Sequence, residues 1–323
     1  MEFFKSSSIY DFMGKSKMFI SISLLLILSS YAILFTKGLN YGIDFAGGTI
    51  IQVKYDKKAP IPQIRELLKV DKTFENSSVT EFGSPQEIVI RVKNSTTSVA
   101  NDLGDRVRKL LASSGKFEVR RVDMVGPKVG SELREKGIKA MIFSILTILI
   151  YVAFRFEWRF ALASILALVH DVSIALGAIS LFQVEVNLDI LAAILTILGY
   201  SLNDTIIVFD RIREQVVKTK IYDLFATINE AVTRTLSRTT LTSLTTFFVV
   251  LTLFLFGGEI IYGFSFTMLV GVVVGTYSSI FVASPLLKWL GFDVKKYKDE
   301  LAKKEMRRKE KERMRAQFEG GVV

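Results

Sequence analysis

Cysteine is absent from the 323 residues, which rules out disulfides and thiolate metal sites. Histidine occurs once, at position 170, so no Cys/His spacing for a metal centre exists. There is no glycine-rich phosphate loop, no G-x-S-x-G elbow and no H-E-x-x-H helix. The chain is therefore not read as an enzyme, is not expected to hydrolyse ATP itself, and calls for no metal or organic cofactor. Lysine and arginine are missing from two short stretches, 183–189 and 257–261, although the net charge is +10.

What the chain has in quantity is uninterrupted apolar sequence. Half of its residues are hydrophobic, and long apolar runs with few charges recur at 18–36, 139–154, 160–182, 186–209, 240–256 and 262–287. Each approaches the ~20 residues that a helix needs to cross ~30 Å of hydrocarbon. The reading is an α-helical polytopic membrane protein with six transmembrane helices. The first run lacks a small-x-small cleavage site before Thr36-Lys37-Gly38, so it is taken as an uncleaved span.

A charge of +10 would suit a nucleic-acid binder, but its distribution argues against one. Basic residues crowd 1–17 (Lys5, Lys15, Lys17), the loop holding Arg155 and Arg159, the loop 211–238, and the tail from Lys295 through the cluster ending at Arg315. The two loops without Lys or Arg alternate with these. That is the positive-inside pattern, and it places both termini in the cytoplasm. The expected organisation is a cytoplasmic N-terminus at 1–17, a first span at 18–36, an extracytoplasmic domain at 37–136, a five-helix bundle at 137–288 and a basic cytoplasmic tail at 289–323. Two readings fit the tail: a solvated helix lying against anionic lipid, or a contact for a ribosome or nascent chain.

The segment 37–136 has its own pattern. Strands are expected at 47–55, 78–82, 87–93 and 117–125, with helices at 61–70 and 98–112 and a turn at Gly83-Ser-Pro85. Ile88, Ile90 and Val92 alternate onto one face, to be covered by Leu103, Val107 and Leu110. The order βαββαβ is that of a small ferredoxin-like α+β sandwich.

Polar residues inside the spans are the candidates for function, because an ionised Asp at a membrane centre costs roughly 2.5–3.5 kcal/mol on insertion scales. In the fourth span Ser201, Asp204, Thr205 and Val208 share a face, with Asn203 on the neighbouring one. In the fifth, Arg238, Thr242, Thr245 and Val249 line one face, and Thr239, Ser243 and Thr246 the next. Both sets lie at the same depth, so an Asp204–Arg238 ion pair is expected, although Arg238 also fits a positive-inside anchor. His170 and Asp171 sit mid-way along the third span, and His170 fits either a proton relay or a satisfied interhelical hydrogen bond. Gly177, Gly271 and Gly275 are read as helix-packing positions.

Four stretches, Gly42-Ile-Asp-Phe-Ala-Gly-Gly-Thr49, Val169-His-Asp-Val172, the run from Gly199-Tyr-Ser-Leu-Asn-Asp-Thr205 to Phe209-Asp-Arg-Ile-Arg-Glu214, and Ser237-Arg-Thr-Thr-Leu-Thr-Ser243, together resemble the SecD/SecF family of bacterial protein-export membrane proteins. That family lies in the resistance-nodulation-division superfamily. The resemblance runs from about 15 to 290. It implies residence in the cell inner membrane and pseudo-twofold pairing with a SecD subunit. It also implies use of the proton motive force to help draw a preprotein through SecYEG after SecA has acted, with YidC and YajC as further neighbours. Protons are the coupling ion it implies, and sodium stays open. Asp204 and Arg238 match the family's intramembrane charged pair, and Asn203 stands where SecD carries its own intramembrane Asp. The implied proton pathway draws on Asp204, Arg238, Asn203, Ser201, Thr242, Asp171 and His170. Two other classes stay open: a proton-driven small-molecule or lipid efflux half-transporter of the same superfamily, and a non-transporting scaffold.

The charge pattern yields a direct test of orientation. A thiol introduced near Glu87 is expected to react with an impermeant reagent from outside the cell, and one near Lys218 only from the cytoplasm; reversed accessibility would overturn the topology.

Overall fold

The computed structural model describes residues 9–75, 77–93, 100–219 and 222–319. The chain enters through α1 (Ser16–Lys37) and a one-turn helix α2 (Ile43–Ala46). The sheet domain follows: β1 (Gly48–Tyr55), α3 (Ile61–Leu68), β2 (Ser78–Phe82), β3 (Ser84–Lys93), α4 (Ala100–Leu110) and β4 (Phe117–Val125). The strands form one antiparallel sheet in the order β2-β3-β1-β4, the expected ferredoxin-like arrangement. Alternation buries Ile51, Val53 and Tyr55 of β1 with Ile88, Ile90 and Val92 of β3 on one face. Ile64, Leu68, Leu103 and Val107 cover that face from the two helices. Leu111, fully buried, completes the core, while the expected Leu110 is only partly buried. Lys5 and the first residues of the helix expected at 98–112 lie outside the described residues.

The turn at 83–85 is tighter than expected. Gly83 alone, at φ +72°, reverses the chain, and β3 already begins at Ser84. Pro85 therefore falls within a strand, beside the register shift between Glu81 and Phe82, and a bulge tolerates the missing N–H.

The rest of the chain is helical: α5 (Pro127–Arg155), α6 (Trp158–Leu181), α7 (Leu188–Lys218), α8 (Leu224–Phe256), α9 (Gly258–Ser278), a π turn at Ser279–Ala283, α10 (Ser284–Trp289) and α11 (Val294–Glu319). Helix α5 begins well before the apolar run at 139, because Pro127 in its first turn needs no N–H partner. Counting Gly258–Trp289 as one, six helices among the described residues are long and apolar enough to cross a membrane. Their apolar windows are buried very unequally: 56 % for α6, 50 % for α7 and 56 % for the α9–α10 helix, against 11 %, 11 % and 17 % for α1, α5 and α8. Helices α6, α7 and α9 are thus the inner layer, and the other three present most of their surface outward.

Small residues set the inner spacing. A Cβ on Gly271 would lie 2.2 Å from Ile197 Cγ1, and one on Gly275 would lie 3.0 Å from Ser201 Cβ, so α9 rides directly on α7. A Cβ on Gly177 would lie 2.4 Å from Ser30 Cβ, which brings α1 onto α6. The close α7–α9 approach is what puts short hydroxyl side chains within reach of carboxylates.

Candidate functional site

Two carboxylates, Asp171 at 0 % exposure and Asp204 at 1 %, are buried within the inner helices. The 3.6-residue period turns Ser201, Asp204, Thr205 and Val208 inward together, and all four are buried. The donors that reach the two acids are very different in number.

Asp171 on α6 is fully supplied. Its Oδ2 accepts from Ser201 Oγ of α7 at 2.5 Å and from Ser278 Oγ of α9 at 2.8 Å. Its Oδ1 lies 2.8 Å from His170 Nδ1, which assigns the ring proton to that nitrogen. One carboxylate thereby clasps three helices. His170 Nε2 is buried without a hydrogen-bond partner, and the ring stacks on Tyr277 with centroids 6.1 Å apart.

Asp204 on α7 is supplied on one side only. Its Oδ2 accepts from Ser243 Oγ of α8 at 3.1 Å, while Oδ1 is buried with no hydrogen-bond partner. Ser243 Oγ in turn lies 2.8 Å from Thr276 Oγ1 of α9, which is also 2.7 Å from the carbonyl of Val272. Thr276 has a single hydroxyl proton for these two acceptors, so the chain Thr276–Ser243–Asp204 has two proton arrangements. Thr239 Oγ1, one turn before Ser243 on α8, is likewise buried and unpartnered. A proton can be placed on Oδ1 without breaking the bond from Ser243.

The expected Asp204–Arg238 ion pair is not formed. Arg238 is exposed on α8 and does not reach the bare Oδ1. The two polar faces of α8 are the reason: Thr239 and Ser243 turn inward, which turns Arg238, Thr242, Thr245 and Val249 outward. Thr242 Oγ1 bonds back to the carbonyls of Arg238 and Thr239 at 3.1 and 2.9 Å, away from the acid. Asn203 is exposed on the outer side of α7. Of the residues singled out in the sequence, Ser201, His170 and Asp171 are therefore brought together, Asp204 lies one turn further along α7, and Asn203, Arg238 and Thr242 sit on an outer face. Tyr200 ties that face together, its hydroxyl donating to the carbonyl of Thr242 at 3.2 Å.

Sequence reasoning overlooked Ser278, a direct partner of Asp171, and Thr276, which reaches Asp204 only through Ser243. The available signal was their place in Gly275-Thr-Tyr-Ser-Ser279, directly after a glycine that packs on Ser201. The π turn follows at Ser279, and Ser284 Oγ donates to its carbonyl at 3.1 Å. Such turns recur at functional sites because they re-aim side chains without ending the helix. Among the described residues no three His, Asp or Glu side chains converge as a metal site would require.

The chain is similar to known proteins along most of its length. The family model for protein export membrane protein SecD/SecF, C-terminal, matches residues 106–293, and that for the SecD/SecF GG motif matches 32–59. The chain is 49 % identical over 323 residues to protein translocase subunit SecF of Helicobacter pylori strain J99, covering 100 % of both. It is 42 % identical over 286 residues to the Escherichia coli O157:H7 protein of the same name, covering 88 % of each. The crystal structure of SecDF, a translocon-associated membrane protein from Thermus thermophilus, superposes with a TM-score of 0.77 at 36 % identity. That match covers 90 % of this chain and 40 % of the longer SecDF chain.

The unequal supply of donors predicts unequal costs of mutation. Asp171→Ala strands two groups, the Ser201 hydroxyl and an imidazole N–H, while Ser278 keeps the Gly275 carbonyl. Ser243→Ala strands one, Asp204 Oδ2, because Thr276 keeps the Val272 carbonyl, and each buried group left unpaired costs about 1–3 kcal/mol. Thermal unfolding in detergent is expected to show the larger fall in midpoint for Asp171→Ala; the opposite order would contradict the clasp.

Proposed function

The chain belongs to the SecD/SecF family of protein-export membrane proteins, and we propose that, as a subunit of the Sec export machinery, it couples proton binding at Asp204 to a rearrangement of α7 and α8. The observation that carries this reading is the half-supplied carboxylate: Asp204 is buried in a span with one oxygen bonded and the other bare. Intramembrane acids are costly and generally serve ion or proton movement. Family membership favours export over small-molecule efflux, and the bare acid favours a working subunit over a scaffold.

The outer face completes the reading. Asn203 on α7 and Arg238 and Thr242 on α8 are polar and are left exposed by this chain. Polar side chains facing hydrocarbon are unfavourable, so we assign these positions to contact with a SecD subunit. Arg238 is then held at the joint between the two subunits, from which it can swing toward Oδ1. Protonation neutralises the acid and releases any hold on the guanidinium, so two arrangements of α7 and α8 have different proton affinities. Only that difference does work. A charge crossing the full membrane is worth roughly 2.3 kcal/mol per 100 mV, enough to bias helix packing and too little to replace ATP hydrolysis at the channel.

In this reading the protein lies in the inner membrane with both termini in the cytoplasm and the sheet domain on the far side, facing a preprotein emerging from SecYEG. SecA supplies the earlier, ATP-driven step, and YidC and YajC are further neighbours. Protons are the coupling ion; sodium in their place would appear as export dependent on a sodium gradient.

Asp204→Asn and Arg238→Met are expected to leave assembly with SecD intact and to abolish the gradient-dependent part of export. The measurement is translocation into membrane vesicles with and without a proton gradient, each variant against the parent. Full gradient stimulation in either variant would reduce that residue to a packing role.

A further inference from the structure

The proton site makes no use of the stretch Gly42–Thr49, yet the structure places it at the opposite end of the same helix. Residues 38–42 run beside the α6–α7 loop, with Tyr41 opposite Val186 in a parallel bridge. Gly42 N donates to Val186 O at 3.0 Å, and Val186 N donates to Asn40 O at 2.8 Å. Asn40 Nδ2 donates to Gln183 O at 3.0 Å, and Ser180 Oγ donates to Gly38 O at 2.5 Å. The segment is stapled to the loop along its length.

Asp44 then reaches α7 itself: its Oδ2 accepts from Leu188 N, the first residue of that helix, at 3.0 Å. A helix start leaves such N–H groups unpaired, and the preceding residue ordinarily serves them. Here Asn187 occupies that position and makes no side-chain cap bond. The cap comes instead from a segment more than a hundred residues away in sequence, and it brings a carboxylate to the positive end of the helix dipole. Gly42 permits the approach, because a Cβ there would lie 1.5 Å from Asn187 Oδ1.

On its other side Asp44 has almost no slack. It lies in α2, and Gly47 alone separates that helix from β1, which pairs with both β3 and β4. Lys93 at the end of β3 braces the same joint, donating to Asn40 Oδ1 at 2.6 Å and pairing with Glu185 at 3.6 Å. Helix α7 is continuous from Leu188 through Asp204, about 24 Å at 1.5 Å per residue. Any rotation or axial shift of α7 at Asp204 therefore arrives at Leu188.

We propose that Asp44 is a positioning residue that ties the N-terminus of α7 to the sheet domain, so that movement of α7 set off at Asp204 is delivered through α2 to β1 and carries the domain with it. This rests on the proton reading of Asp204. The glycines of the motif act here as close-contact points in a stiff joint, and the joint transmits motion because it does not flex.

The test uses the complex with SecD in liposomes, with spin labels on Lys69→Cys in the sheet domain and Ile260→Cys at the start of α9, both exposed positions in a chain without native cysteine. Label-to-label distances are compared between the Asp204 and Asp204→Asn backgrounds. The expected result is a shift in the distance distribution on neutralising Asp204. That shift is lost in Asp44→Ala, which removes the cap, and in Gly42→Ala, which wedges the staple open. It is kept in Asp44→Asn, whose amide oxygen still accepts the Leu188 N–H. A shift of parental size in Asp44→Ala would overturn the proposal, and so would no shift in the parent background. Gradient-stimulated translocation, measured alongside, separates the two claims. If Asp204→Asn keeps full stimulation, the proton reading itself falls; if it loses stimulation while the Asp44→Ala shift persists, only the joint falls.

Discussion

A carboxylate placed between membrane helices has no water to draw on, so every donor it receives must come from a neighbouring helix held within hydrogen-bond distance. Serine and threonine hydroxyls are short and can reach only when backbones pack closely, and glycine is what lets them. The stacking of Gly271 on Ile197 and of Gly275 on Ser201 is in that sense the precondition of the site. Without it Ser278 would not reach Asp171, nor Thr276 the Ser243 hydroxyl that serves Asp204.

The bundle meets this constraint in two different ways within one turn of α7. Ser201 is one of three donors that satisfy Asp171, while Asp204, three residues on, has a single donor. The environment gives identical side chains different surroundings, one fully supplied with donors and one with an oxygen left bare. The closed clasp also limits what α7 can do. It pins the helix at Ser201, so rotation about that point displaces both Asp204 and the distant Leu188, where the helix start is held by Asp44.

Much of this architecture is written plainly in the chain. The apolar runs locate the spans because helix length and bilayer thickness fix each other, and the alternation through Ile88, Ile90 and Val92 locates the sheet core. The inward face of α7 also follows from spacing, since Ser201, Asp204 and Thr205 recur at helical intervals beside apolar residues. The inward face of α8 does not. Two adjacent faces are both polar there, and periodicity cannot say which one a neighbour covers; the structure turns Ser243 inward and Arg238 outward. Contacts between segments distant in sequence, such as Asp44 with Leu188 or Ser278 with Asp171, leave no local signature at all. They depend on where the helices cross, which packing decides.

The central claim is that Asp204 exchanges a proton within the folded complex. Infrared difference spectroscopy of the SecD-bound protein across a pH titration reads this directly through the carboxylic acid carbonyl band. The expected result is a titrating band in the parent that persists in Asp171→Asn and vanishes in Asp204→Asn. A band that survives in Asp204→Asn, or none in the parent throughout the range where it stays folded, would contradict the claim.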